Sequence, residues 1–152
     1  MMNKKAIVDL GIERATISVV LHATEDYEKV KSNIIKMFDL TSNKFEESYT
    51  RGHWGNEICL LNLSIDHIEA GQLIRRIYDL LDKNSKARLL NLLDYSVDEK
   101  NNLYLRIDKQ SLCEGKIALS DQDSIKIKFK PIKTFKPSSK FRTYRDLLLS
   151  EQ

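Results

Sequence analysis

The chain has 152 residues, 41% hydrophobic and 31% charged, a composition that excludes a disordered polymer and allows one globular core burying roughly two-thirds of the unfolded surface. Its net charge is only +3, yet Lys126, Lys128, Lys130, Lys133, Lys136, Lys140, Arg142 and Arg145 fall within twenty residues that contain no acid. Setting those eight charges against +3 leaves minus five for the rest of the chain, a separation that points to an anionic polymer as partner.

The opening residues, MMNKKAIVDLGIERA, carry an apolar stretch that Asp9, Glu13 and Arg14 soon interrupt. Neither a signal peptide nor a membrane span fits, and a cytoplasmic location is expected. ERATISVVLH, residues 13–22, alternates Ala15, Ile17, Val19 and Leu21 with Arg14, Thr16, Ser18 and His22, which predicts a strand with one dry face. The following segment predicts a helix: Thr24 is a suitable N-cap, and Tyr27, Val30, Ile34, Met37 and Phe38 recur at helical spacing.

Residues 44–50 and 57–65 read as strands, the second with Cys59, Leu61, Leu63 and Ile65 on one face. Between them lies RGHWGNEI, which places two of the chain's five glycines around His53 and the single tryptophan, Trp54. Gly52, Gly55 and Asn56 suit a tight connection. A turn alone does not account for His53 and Trp54.

Asp66 with Glu69 resembles a capping box at the start of a helix whose apolar stripe is Ala70, Leu73, Ile74, Ile77 and Leu81. SKARLLNLLDY, 85–95, predicts a shorter helix behind it. NNLYLRIDKQ, 101–110, and DSIKIKFKPI, 123–132, both alternate as strands do. From Lys133 the chain reads as a basic linker leading to a short amphipathic helix at FRTYRDLLL, whose leucines either bind a partner or dock onto the domain. Cys59 and Cys113 match neither a CxxC nor a zinc spacing, so free thiols are expected.

The order β-α-β-β-α-α-β-β predicts an α+β domain over residues 1–132, with a mixed, mostly antiparallel sheet, helices on one face and an open polar face. Residues 133–152 form the tail. Alternation assigns Arg14, Thr16, Ser18, His22, Tyr104, Arg106, Asp108, Gln110, Lys126, Lys128 and Lys130 to the open face. Lysines and arginines beside an aromatic suit RNA, where cations meet phosphates and a ring stacks on a base. A solvated face whose lysines discourage edge pairing has the same composition.

Nothing comparable supports catalysis. His22, His53 and His67 have no ligand spacing with one another or with Asp66, and the chain contains no GxSxG, Walker-type or GxGxxG motif. No cofactor, metal or enzymatic activity is expected.

Three blocks, LHATEDYEKV at 21–30, GHWGNEI at 52–58 and LYLRIDKQ at 103–110, followed by Gly115 and DSIKIKFK, together resemble the archaeal predicted exosome-subunit, or RNA-binding, protein family. The resemblance covers most of residues 13–132, with the blocks in the family's order. It implies a small α+β fold similar to the ribosomal protein that binds 5S ribosomal RNA. It further implies non-catalytic RNA binding in RNA processing or ribosome maturation.

Matching positions are His22, Thr24 and Glu25; Gly52, His53, Gly55 and Asn56; Arg106, Asp108, Lys109 and Gln110; and Gly115. The chain departs from the pattern at Trp54, where tyrosine is frequent, at Glu57, where proline is expected, and at Leu112, where a smaller residue is usual.

The expected RNA contacts are therefore Lys126, Lys128, Lys130 and Arg106 at phosphates, Tyr104 or Trp54 stacking a base, His22, His53, Asn56 and Gln110 hydrogen bonding, and Lys109 among the RNA-binding residues. An Arg106–Asp108 contact is expected to hold the guanidinium fan, unless these polar groups only satisfy one another. Expected partners are a structured RNA (ribosomal or transfer), RNA-processing proteins such as the exosome, and a second copy of the chain in a homodimer; no membrane is expected. The rival reading is a protein-interaction module using the Trp54 loop and the C-terminal helix.

Overall fold

The computed structural model describes residues 11–41, 44–132, 144 and 148–149. Its elements run β1 (Ile12–His22), α1 (Tyr27–Phe38), β2 (Glu46–Arg51), β3 (Glu57–Asp66), α2 (His67–Leu80), α3 (Lys83–Ser96), β4 (Leu103–Asp108), α4 (Lys109–Cys113) and β5 (Ser124–Pro131). The strands form one sheet in the order β2-β3-β1-β5-β4, and all four neighbouring pairs are antiparallel. This is the expected α+β architecture with an open sheet face.

Period-two alternation produces this arrangement. Ala15, Ile17, Val19 and Leu21 of β1, Cys59, Leu61, Leu63 and Ile65 of β3, Leu103, Leu105 and Ile107 of β4, and Ile125, Ile127 and Phe129 of β5 are all buried. They meet Val30, Ile34 and Phe38 of α1, Leu73, Ile74 and Ile77 of α2, and Leu89 and Leu93 of α3 in one core. Each fully buried aliphatic or aromatic side chain of this kind contributes about 1.5–3 kcal/mol through removal of apolar surface from water. Tyr144 and Leu148, both helical, join the same core, and the Tyr144 hydroxyl donates to the Asn101 carbonyl. Leu148 thus docks onto the domain. The expected linker at 133–140 lies outside the described residues.

Three local expectations are corrected. Helix α1 is capped by Asp26, whose carboxylate accepts from the Lys29 amide, and not by Thr24. Asp66 is the N-cap of α2 but makes no side-chain cap bond, and Glu69 does not complete a capping box. Glu69 instead accepts from the Thr41 amide at 2.7 Å and hydroxyl at 3.1 Å, tying the chain beyond α1 to α2. The strand expected to reach residue 110 ends at Asp108, whose carboxylate accepts from the Ser111 amide and hydroxyl and starts the short helix α4. A side-chain cap competes with continued strand pairing, and here the cap prevails.

Candidate nucleic-acid interface

Antiparallel register aligns the outward residues of the central and right-hand strands. Lys126 of β5 stands between Ser18 of β1 and Arg106 of β4, and Lys128 between Thr16 and Tyr104. Lys130 lies opposite Arg14. Directly opposite residues on one face have Cβ atoms about 5 Å apart, so Arg14, Lys126, Lys128, Lys130, Arg106 and Tyr104 form a continuous patch. All six are exposed.

The patch is cationic because few acids reach it. Lys130 has Glu13 at 4.0 Å, a loose exposed pair. Among the described residues, Arg14, Lys126, Lys128 and Arg106 form no ion pair. The ammonium of Lys128 sits 5.9 Å from the centroid of the Tyr104 ring, within cation–π range.

Tyr104 is held in place from the other side. Its hydroxyl donates to Asp98 at 2.9 Å, and Asp98 also accepts from the Lys100 amide and from the amide and side chain of Asn102. Burial pushes the Asp98 carboxyl up, but these hydrogen bonds outweigh it and hold the group below its ordinary value. The Asp98 contact first, and then burial, raises the Tyr104 phenol, which keeps the ring neutral. Asp98 carries no hydrophobic-pattern signal; only the turn composition of DEKNN, 98–102, marks the place.

The other expected contacts lie elsewhere. Lys109 is buried: its ammonium donates to both Glu25 oxygens at 2.7 Å and to the Val20 carbonyl at 3.0 Å, and pairs with Asp123 at 3.0 Å. It pins the α1 entry to α4 and the chain before β5, and its charge does not face the open side. Gln110 is on α4, where it contacts Glu114, so it shares no strand face with Arg106. Asp108 is engaged as a helix cap, and the Ser111 hydroxyl and then the Ser111 amide lower its carboxyl. The expected Arg106–Asp108 contact is replaced by that cap.

His53, Trp54 and Asn56 occupy the β2–β3 hairpin at the opposite edge of the sheet. Four strand spacings separate β2 from β4, about 19 Å. The turn is closed by Gly52 N–H to the Asn56 carbonyl at 2.7 Å and Gly55 N–H to the Gly52 carbonyl at 3.0 Å, with Gly55 at φ +81°. Trp54 is 86% exposed and meets the His53 ring edge-on at 4.6 Å. It does not anchor the loop. His22 lies at the same end of the sheet, opposite Ile58, whereas His67 follows Asp66 at the far end, so the three histidines do not converge.

A protein-family model described as RNA binding matches residues 14–131. The chain belongs to this RNA-binding family. It is 30% identical over 143 residues to an uncharacterized protein of Methanocaldococcus jannaschii, covering 89% of this chain and 94% of that protein. An RNA-binding protein of Pyrococcus abyssi is 30% identical over 125 residues, 78% of this chain and 80% of its own. A crystal structure from Archaeoglobus fulgidus superposes with a TM-score of 0.76 at 29% identity, covering 90% of this chain and 99% of that one.

The matched span of the RNA-binding family contains the whole cationic patch and the hairpin. The tail beyond residue 131 lies outside it.

Proposed function

We propose that this chain binds RNA, without catalysis, through the β1–β5–β4 half of its open sheet face. The observation that carries the reading is the registered patch of Lys126, Lys128, Arg106 and Arg14, which have no carboxylate partners among the described residues, beside the fixed ring of Tyr104. Unpaired cations on a flat surface hold phosphates, and a ring fixed at their edge offers a stacking surface. Membership of an RNA-binding family supports the same reading.

Under this proposal the ligand is a structured RNA, ribosomal or transfer, met in the cytoplasm during ribosome maturation or RNA processing beside the exosome. The resemblance noted in the sequence supports that finer assignment. The five basic residues of the tail from Lys133 to Arg145 add nonspecific attraction to the same polyanion.

Titration of fluorescently labelled structured RNA at several salt concentrations tests the reading. Affinity should fall linearly on a log-log plot, with a slope of about −0.7 to −0.9 for each phosphate neutralised, the range between single strands and B-DNA. Lys126→Gln, Lys128→Gln and Lys130→Gln together should weaken binding and flatten that slope. Absence of binding at low salt, or a slope indifferent to the three changes, overturns the proposal.

One observation favours a second reading: Trp54 is exposed at a hairpin tip, which suits a protein contact. Under that reading the hairpin binds another subunit while the cationic patch is only solvated.

A further inference from the structure

Strand β4 is an edge strand, and its outer side is covered only in part. At one end the chain before it bridges Val97 to Leu103, with Asp98 N–H donating to the Asn102 carbonyl. At the other, Leu119 bridges Ile107, with Asp108 N–H donating to Ala118 and Ser120 N–H to the Arg106 carbonyl. These bonds use Asn102, just before β4, and Arg106 and Asp108 within it, so the backbone groups of the even-numbered residues 102, 104, 106 and 108 point away from β5. Between the two bridges, the Tyr104 carbonyl and the Arg106 N–H face outward and have no protein partner among the described residues.

A pocket of about 360 Å³ opens at this gap. Leu89 and Leu92 of α3, Leu105 and Leu119 give it apolar walls, Tyr95 stands at its rim 85% exposed, and Arg88 and Arg106 flank it. Arg88 has only a loose 4.0 Å contact with exposed Asp121. Tyr104 belongs both to this pocket and to the cationic patch, which makes the two surfaces continuous.

We infer that this pocket receives one unpaired base of the bound RNA, flipped out of its helix. The inference rests on the RNA-binding reading above and deepens it. An acceptor and a donor two residues apart on a strand edge match the adjacent donor and acceptor on a base's Watson–Crick edge. That edge is free only when the base is unpaired. Tyr95 and Leu92 supply the stacking and apolar contacts, while Arg88 and Arg106 meet the flanking phosphates. A peptide strand fits poorly, because the bridges at Leu103 and Ile107 close the edge on both sides of the gap.

The test compares two labelled hairpin RNAs, one with a single-nucleotide bulge and one fully paired, using the full-length protein. The bulged RNA should bind about tenfold more tightly, the effect of one stacked base, and 2-aminopurine at the bulge should change fluorescence on binding. Tyr95→Ala removes an exposed ring, and Leu92→Trp fills the pocket from a position that is 40% exposed. Each should abolish the preference while leaving the paired-RNA affinity and its salt slope unchanged, with thermal melts confirming the fold. Equal binding of both RNAs by the unaltered protein, or a preference that survives both substitutions, overturns the pocket but not the cationic face. Failure to bind either RNA overturns both.

Discussion

The Asp98 carboxylate accepts the Tyr104 hydroxyl at 2.9 Å, so a residue in the turn before β4 fixes the orientation of the ring at the edge of the cationic patch. The same carboxylate closes its own turn through the Asn102 and Lys100 amides. One acid thus couples local backbone structure to the presentation of the surface that is proposed to meet RNA.

Asp98→Asn should destabilise the fold by about 2 kcal/mol at neutral pH, because hydrogen bonds to a charged acceptor are worth about 1.5–3 kcal/mol. The folded carboxyl lies below the ordinary value of 3.8, so its contribution is present above 3.8 and is lost as pH falls through the lowered folded value. The stability gap between the variant and the parent protein should therefore shrink in denaturant melts taken toward pH 2. A gap that is constant from pH 7 to pH 2 contradicts the role given to Asp98.

Lys109→Met should cost about 2–3 kcal/mol of stability, below the 3–5 kcal/mol of a fully buried broken pair because Glu25 and Asp123 keep partial solvent access. RNA affinity, measured on the fraction that remains folded, should keep its salt slope. A flattened slope with unchanged melting would place Lys109 among the phosphate contacts.

Trp54→Ala should leave the melting temperature within about 2 °C, since surface changes usually stay within about 0.5 kcal/mol. The parent protein should show the emission of a water-exposed indole. Because the hairpin lies on the far edge of the sheet from β4, RNA that occupies the cationic patch should quench that emission little. Strong quenching by RNA would bring the hairpin into the interface, and quenching by a protein partner alone would favour the interaction-module reading.

The two hairpin glycines should respond differently. A Cβ at Gly52 would lie 2.8 Å from the Asn56 side-chain oxygen and 3.0 Å from Ile58 Cδ1, so Gly52→Ala must move those two side-chain ends while the turn backbone stays. At Gly55 a Cβ meets nothing within 4 Å, and the φ of +81° carries the strain, about 1–2 kcal/mol for a left-handed non-glycine residue. Gly55→Ala should therefore lower the melting temperature more than Gly52→Ala, while Gly55→Ala leaves the chemical shifts of Ile58 nearly unchanged and Gly52→Ala moves them.

Alternation by itself determined the sheet. Ala15 to Leu21, Leu103 to Ile107 and Ile125 to Phe129 had to share a dry face, which forced Lys126, Lys128, Lys130, Tyr104 and Arg106 outward whatever the strand order. Helical spacing did the same for α1 and α2. Periodicity is a local property, and so it is legible in a sequence. The fate of Lys109 and Gln110 was not, because a strand pattern continues on paper past Asp108 and only the cap to Ser111 stops it.

Tertiary structure alone decided which strands are neighbours. Placing β5 between β1 and β4 sets Lys126 and Lys128 beside Arg106 and Tyr104 and leaves the Trp54 hairpin on the opposite edge. It also buries Lys109 among Glu25, Asp123 and the Val20 carbonyl, groups as many as 89 residues away in sequence. Contacts over such separations depend on how the chain closes its loops around a shared core. No periodic pattern encodes that closure, so the cationic residues were readable one strand at a time and the patch they form was not.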